Sequence, residues 1–79
     1  MYYAYVLRNQ KGLLYKGSTD DIMKRLVQHN SGEFPSYTAK NRPWKLVHYE
    51  SFKTRIEAEK REGFFKTGKG REFLKKLIA

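Results

Sequence analysis

Cysteine is absent from the 79 residues of this chain, which excludes disulfide scaffolds, thiolate zinc sites and thiol nucleophiles together and agrees with a reducing cytosol. No uninterrupted apolar run approaches the ~20 residues of a membrane span. The opening MYYAYVLRN lacks the charged start and small-residue cleavage site of a signal peptide. A cytoplasmic protein with no membrane partner is expected. Repeats and low-complexity tracts are missing too, so one domain over residues 1–79 is expected. A chain this short buries only a modest core, and an active site on it would be shallow. Acidic side chains are few, 8 against 17 Lys and Arg, for a formal net charge of +9. A potential of that sign favours polyanions and makes nucleic acid the leading partner class. The excess is uneven, 5 basic against 3 acidic residues in 1–39 but 12 against 5 in 40–79, so the second half is expected to dominate phosphate contact.

Proline, with two residues, is confined to EFPSYTAKNRP, residues 33–43, which reads as a loop. Both sides of it are patterned. Residues 2–8, YYAYVLR, are aromatic and β-branched, and the polar NQKG leads into LLYKG, a hairpin with Gly12 in its turn. A turn centred on Gln10 sets Arg8 opposite Gly12 and Tyr5 opposite Tyr15, with both phenols on one face. A one-residue slip would separate them. Ser18, Thr19 and Asp20 are competent N-caps for a helix over roughly 20–30. Ile22, Met23, Leu26 and Val27 recur at helical spacing, and Ser31-Gly32 stops the run. Arg25 and His29 lie within about 40° of each other, beside that stripe.

WKLVHYES alternates as a third strand, with Trp44, Leu46 and His48 on one side and Lys45, Val47 and Tyr49 on the other. Thr54 to Glu57 matches the capping box T-x-x-E, starting a second helix that runs to about Lys66. Beyond Thr67-Gly68-Lys69-Gly70, the tail REFLKKLIA places Phe73, Leu74, Leu77 and Ile78 on one face of a third helix. The fold class is α+β, three strands and three helices.

GFFKTGKG, residues 63–70, comes within one residue of the phosphate loop G-x-x-x-x-G-K-[ST]. That loop needs a strand before it and a helix after it. Here the segment starts inside a helix and reads as a connector, with Lys66, Lys69 and Arg71 left for nonspecific contact with a nucleic-acid backbone.

Tyr5 and Tyr15 on the hairpin, Arg25 and His29 on the first helix and Glu62 on the second form a set able to cleave a phosphodiester. A single carboxylate suits Mg²⁺, which keeps most of its waters and takes substrate phosphate as ligand. Glu62 falls four after Ala58 and three before Phe65, an acid on an otherwise apolar stripe. Arg25 has the rigid fork suited to charge developing in the transition state. The residues alone leave open whether His29 or a tyrosine takes the proton from the attacking water. Each of these types also has an ordinary structural role as a cross-strand pair, a solvated helix face or a surface acid.

The spacing resembles that of the GIY-YIG endonuclease family. Tyr3-Ala4-Tyr5 is similar to the first motif and Tyr15-Lys16-Gly17 to the second, ten positions on. The family arginine eight residues after that glycine matches Arg25, the His/Tyr position four further matches His29, and the metal-binding glutamate of an A-x-x-x-E helix matches Glu62. RPWKLVHYE and EAEKREGFFKTGKGREFLKKLI resemble the small, single-domain bacterial branch. The resemblance implies a three-stranded antiparallel sheet flanked by helices and DNA hydrolysis that depends on Mg²⁺ or Mn²⁺. Departures are Tyr3 and Ala4 for the first motif's glycine and isoleucine, Lys16 for the second motif's isoleucine, and no counterpart of the C-terminal asparagine of excision-repair relatives.

Homing and repair relatives carry separate DNA-binding domains, and none is expected within these residues, so substrate choice would rest on the basic surface and on DNA shape. Branched, flapped or single-stranded DNA is the expected substrate. Tyr37, Lys40, Arg42 and Trp44 are candidates to grip a strand by stacking and charge, with core packing as the competing role for Trp44. Two alternatives stand beside the nuclease: a binding module that keeps the fold without turnover, and a nuclease subunit activated by a protein partner.

Overall fold

Tyr2–Asn9 forms β1, the central strand of a three-stranded antiparallel sheet. In the computed structural model, which describes residues 1–33 and 37–78, Leu14–Thr19 (β2) and Trp44–Phe52 (β3) flank it in the order β2-β1-β3. Helix α1 spans Ile22–Ser31, α2 is a single turn at Tyr37–Lys40, and α3 and α4 span Arg55–Phe65 and Gly68–Ile78. The α+β class and the antiparallel sheet agree with expectation. Among the described residues there are four helices where the pattern predicts three, because α2 lies inside the polar 33–43 segment. Its turn is closed by Asn41, whose backbone N–H and side-chain amide both donate to the Tyr37 carbonyl. The part of that predicted loop at residues 34–36 lies outside the described residues.

Two clusters occupy opposite faces of the sheet. Ala4 and Val6 pack with Phe65 and Leu74 under α3 and α4, while Tyr5, Leu7 and Trp44 pack with Tyr15, Ile22 and Leu26 under α1. Strand alternation explains the division, since successive β1 side chains point to opposite faces.

The hairpin register is offset by two from the expected one. Tyr5 pairs with Gly17, and Leu7 with Tyr15. The turn is longer because the Asn9 side chain accepts from the N–H groups of Lys11 and Leu13 and Gly12 takes φ +84°, a conformation that favours glycine. An offset of two keeps side-chain parity, so both phenols still share a face.

On β3 the alternation breaks. A register irregularity opposite Val6 and Leu7 pairs Val6 with His48 and Leu7 with Leu46, leaving Val47 as an extra residue, as in a bulge. His48 therefore faces the Phe65 and Phe73 rings, away from Leu46, while Tyr49 meets Tyr3 on the α1 side.

Helix α1 is capped by Asp21, which accepts from the Lys24 N–H at 3.1 Å, one residue past the expected caps. It ends at Gly32 in the left-handed conformation. Its inward face also differs: Met23 and Val27 are 66% and 63% exposed, whereas His29 is 1% exposed. Docking on the sheet turns Ile22, Leu26 and His29 inward, so His29 belongs to the packed face and not beside it. Asn30 fixes that orientation by accepting from the Trp44 N–H at 2.6 Å and donating to the Trp44 carbonyl at 3.0 Å.

Thr54 caps α3 as the sequence predicts, accepting from the Glu57 N–H and donating to the Glu57 carboxylate. Helix α4 starts earlier than expected, at Gly68. Gly70 sits where a Cβ would collide with the Phe64 carbonyl, so glycine lets the first turn of α4 close on the end of α3. GFFKTGKG thus joins two helices, with no strand before it. Leu74 is buried and Leu77 is half exposed, so the inward edge of α4 runs through 70, 74 and 78.

Candidate active site

The side chain of Tyr5 crosses its cross-strand neighbour Gly17. A Cβ on Gly17 would come within 2.6 Å of the phenol oxygen and 2.7 Å of Cζ, so the second motif's glycine is the gap through which Tyr5 reaches the edge strand. Tyr5 is 2% exposed, and its hydroxyl lies 3.0 Å from His29 Nε2 in a buried hydrogen bond. The direction of the proton follows the imidazole tautomer. Tyr15 completes the cluster, with its ring 4.7 Å from that of His29 and 6.4 Å from that of Tyr5.

Electrostatics follow from burial. Burial, with Tyr15 next and Glu62 adding to it, pushes the Tyr5 phenol far above the usual tyrosine range despite Arg25. Tyr5 is a protonated hydroxyl at neutral pH. Burial, with Arg25 beside it, pushes the His29 imidazole below its ordinary value, so a neutral ring faces the phenol. Arg25 is half-buried on α1 and lines a small hollow of about 110 Å³ with Thr19, Asp20 and Asp21. Glu62 comes from α3, on the other side of the sheet. Its negative charge adds to the upward push on the Tyr5 phenol.

Glu62 is partly exposed and bonded to Lys66 Nζ through Oε2 at 2.8 Å. No group of three or more His, Cys, Asp and Glu gathers among the described residues. The expected protein donor is therefore the single carboxylate of Glu62. It fits a hard divalent ion that keeps its waters and shares substrate oxygens, and does not fit an all-protein metal cage.

The structure brings the expected residues Tyr5, Tyr15 and His29 together, while Arg25 and Glu62 enter only through their opposite charges, which push the Tyr5 phenol down and up respectively. The basic candidates divide into two groups. Lys40 and Arg42 are exposed where α2 leads into β3, with the Arg42 guanidinium against Gly32. Lys66, Lys69 and Arg71 are exposed at the end of α3 and the start of α4. Trp44 takes its core role: it is buried and donates from Nε1 to the Thr38 carbonyl at 2.9 Å.

Sequence reasoning missed what holds α3 in place. Arg61 donates to both oxygens of Glu50, at 2.9 and 3.3 Å, and its guanidinium lies 4.6 to 5.2 Å from the ring centres of Phe64, Phe65 and Phe73. His48 Nε2 donates to Glu50 at 2.8 Å. Burial raises the Glu50 carboxyl, but the hydrogen bonds from His48 and Arg61 outweigh it and hold the group below its usual range. The one signal for this was the acid on an alternating strand.

The chain belongs to the GIY-YIG family: the family model, described as the GIY-YIG catalytic domain, matches residues 1–76. The relatives it resembles are UPF0213 proteins. One from Bacillus pumilus is 47% identical over 66 residues, 84% of this chain and 67% of the relative. One from Enterococcus faecalis is 48% identical over 67 residues, 82% of this chain and 76% of the relative. A solution structure of a UPF0213 protein from Bacillus halodurans matches with TM-score 0.56 and 32% identity, over 98% of this chain and 85% of that one. A second, from Enterococcus faecalis, matches with TM-score 0.57 and 41% identity, over 94% and 83%.

Proposed function

We propose that this chain hydrolyses DNA phosphodiester bonds in a reaction dependent on Mg²⁺ or Mn²⁺, selecting branched, flapped or single-stranded structure with little regard to sequence. The observation that carries the reading is the buried Tyr5–His29 hydrogen bond, with the Tyr15 ring packed against His29. Family membership supports a nucleic-acid substrate.

In this mechanism Arg25 faces the scissile phosphate and stabilises charge on its oxygens as the transition state forms. Glu62 would hold the divalent ion, whose chemistry there would be to neutralise charge on the phosphate. Lys66 releases Oε2 for that purpose. Tyr15 positions the attacking water. Tyr5 takes a proton from that water while passing its own to the neutral His29 Nε2, so no free phenolate is needed. Lys40, Arg42, Lys69 and Arg71 contact backbone phosphates.

The test is single-turnover cleavage of labelled branched, flapped and single-stranded DNA, and of a matching RNA strand, with Mg²⁺ or Mn²⁺. Wild type is compared with Glu62→Ala, each checked for folding and binding. Cleavage lost in the variant with binding retained is the expected outcome. A second reading, a binding module without turnover, draws on the Lys66 ammonium that already neutralises Glu62. A folded wild type that binds DNA and cleaves nothing would favour it, unless adding a protein partner restores cleavage.

A further inference from the structure

Lys16 stands where the second motif of the family carries isoleucine. The parity of β2 turns it away from Tyr15, onto the face that packs α3 and α4. There it lines an open cleft of about 500 Å³ with Arg8 from β1, Arg71 and Lys75 from α4, and an apolar floor that includes Leu14 and Ile78. Four cations from three elements converge, and none of the described lining residues is acidic. Like charges gathered without a counter-ion repel. Accordingly, burial, then Arg71 and Lys66, hold the Lys16 ammonium below the usual lysine range. An anion seated in the cleft relieves both costs.

Lys66 links the cleft to the candidate active site, because it acts on Lys16 and bonds Glu62. Positive charge thus continues from Lys66, bonded to Glu62, through Lys16 to Arg71 and Lys75. Those last two residues are one helical turn apart, about 6 Å along the axis of α4, a separation suited to neighbouring phosphates on an extended strand. The apolar floor suits sugars or base faces.

We propose that this cleft binds the backbone of a single nucleic-acid strand running on from the scissile phosphate, with Lys16, Arg71 and Lys75 on its phosphates. Naming the ligand as that strand rests on the nuclease reading. The cleft would fix which side of a branch or flap lies beyond the cut, a form of selection by structure and not by sequence.

Binding is measured by anisotropy in EDTA, where no cleavage occurs, over a salt series. Probes are a labelled single-stranded DNA oligomer, the blunt duplex of the same sequence and a polyglutamate peptide. The proteins are wild type, Lys16→Ile, the double variant Arg71→Gln/Lys75→Gln, and Lys60→Gln as an exposed control on α3. For the single strand, the slope of log affinity against log salt is expected to become shallower by about 0.7 for each phosphate contact removed. Duplex binding should change less, and Lys60→Gln should match wild type. Equal losses in the control, unchanged slopes in the cleft variants, or preference for polyglutamate would each overturn the inference. Thermal melting checks the fold, and if Lys16→Ile does not fold, the double variant at exposed positions of α4 decides. A wild type that binds through the cleft but cuts nothing with Mg²⁺ or Mn²⁺ overturns the nuclease reading alone. Cleavage with unaltered strand binding by the cleft variants overturns the cleft alone.

Discussion

The two faces of this sheet bury aromatic rings for different ends. Under α3 and α4, Phe64, Phe65 and Phe73 meet one another, with the Arg61 guanidinium close to all three rings. Under α1 the rings are Tyr5, Tyr15, His29 and Trp44, each with a polar atom at its rim. The first face puts hydrocarbon out of water and stabilises. The second has to pair what it buries, and its hydrogen bonds aim the polar rims at particular atoms. A small domain can thus gather its apolar rings on one face and its hydrogen-bonded polar rings on the other, with Glu62 supplied by α3 from the apolar side.

Substitutions can test that separation. Phe65→Ala should cost about 3–5 kcal/mol, a large share of the roughly 5–15 kcal/mol typical of a whole domain. Denaturant unfolding should show it, with no specific loss of cleavage per folded molecule. Arg25→Gln should do the reverse, reducing single-turnover cleavage by roughly 10²–10³-fold while the melting temperature moves little. Gly17→Ala should affect both properties. The added methyl overlaps the Tyr5 ring and should cost about 1–3 kcal/mol, and it displaces the phenol from His29, which a slowed cleavage rate and an altered His29 ring resonance would report.

Acidification should separate the faces at the smallest scale. His29 has a folded pKa below its ordinary 6.5, so the stability from keeping it neutral is complete above 6.5 and fades as pH falls through the lower folded value. Glu50 is likewise depressed below 4.5, so its contribution holds above 4.5 and fades only beneath that. Stability measured against pH should therefore fall in two windows. Glu50→Gln should remove the lower one and leave the upper one, along with the acid limb of the cleavage rate that His29 sets.

What was readable in the sequence was the part governed by local rules. The Thr54 cap, the strands and the shared face of Tyr5 and Tyr15 follow from capping chemistry and from a period of two, which survives a register error of two residues. The co-spacing of Arg25, His29 and Glu62 was legible as well. The burial of His29 was not, because the rotation of α1 is set by Asn30 bonding Trp44, a contact across the fold. The side of the sheet taken by His48 depended on one extra residue at Val47, which carries no turn signal. Lys16 could be seen as an oddity in its motif, yet its cleft exists only once α4 has docked.

Tyr5 lies on β1 and Glu62 on α3, 57 residues later in the chain. A nascent chain still missing α3 has the phenols, the imidazole and the arginine but no carboxylate to complete the set. Under the proposed chemistry, neither a growing polypeptide nor an amino-terminal proteolytic fragment could cut nucleic acid near the site of its own synthesis. Competence would require α3 in place, as a property of the folded whole.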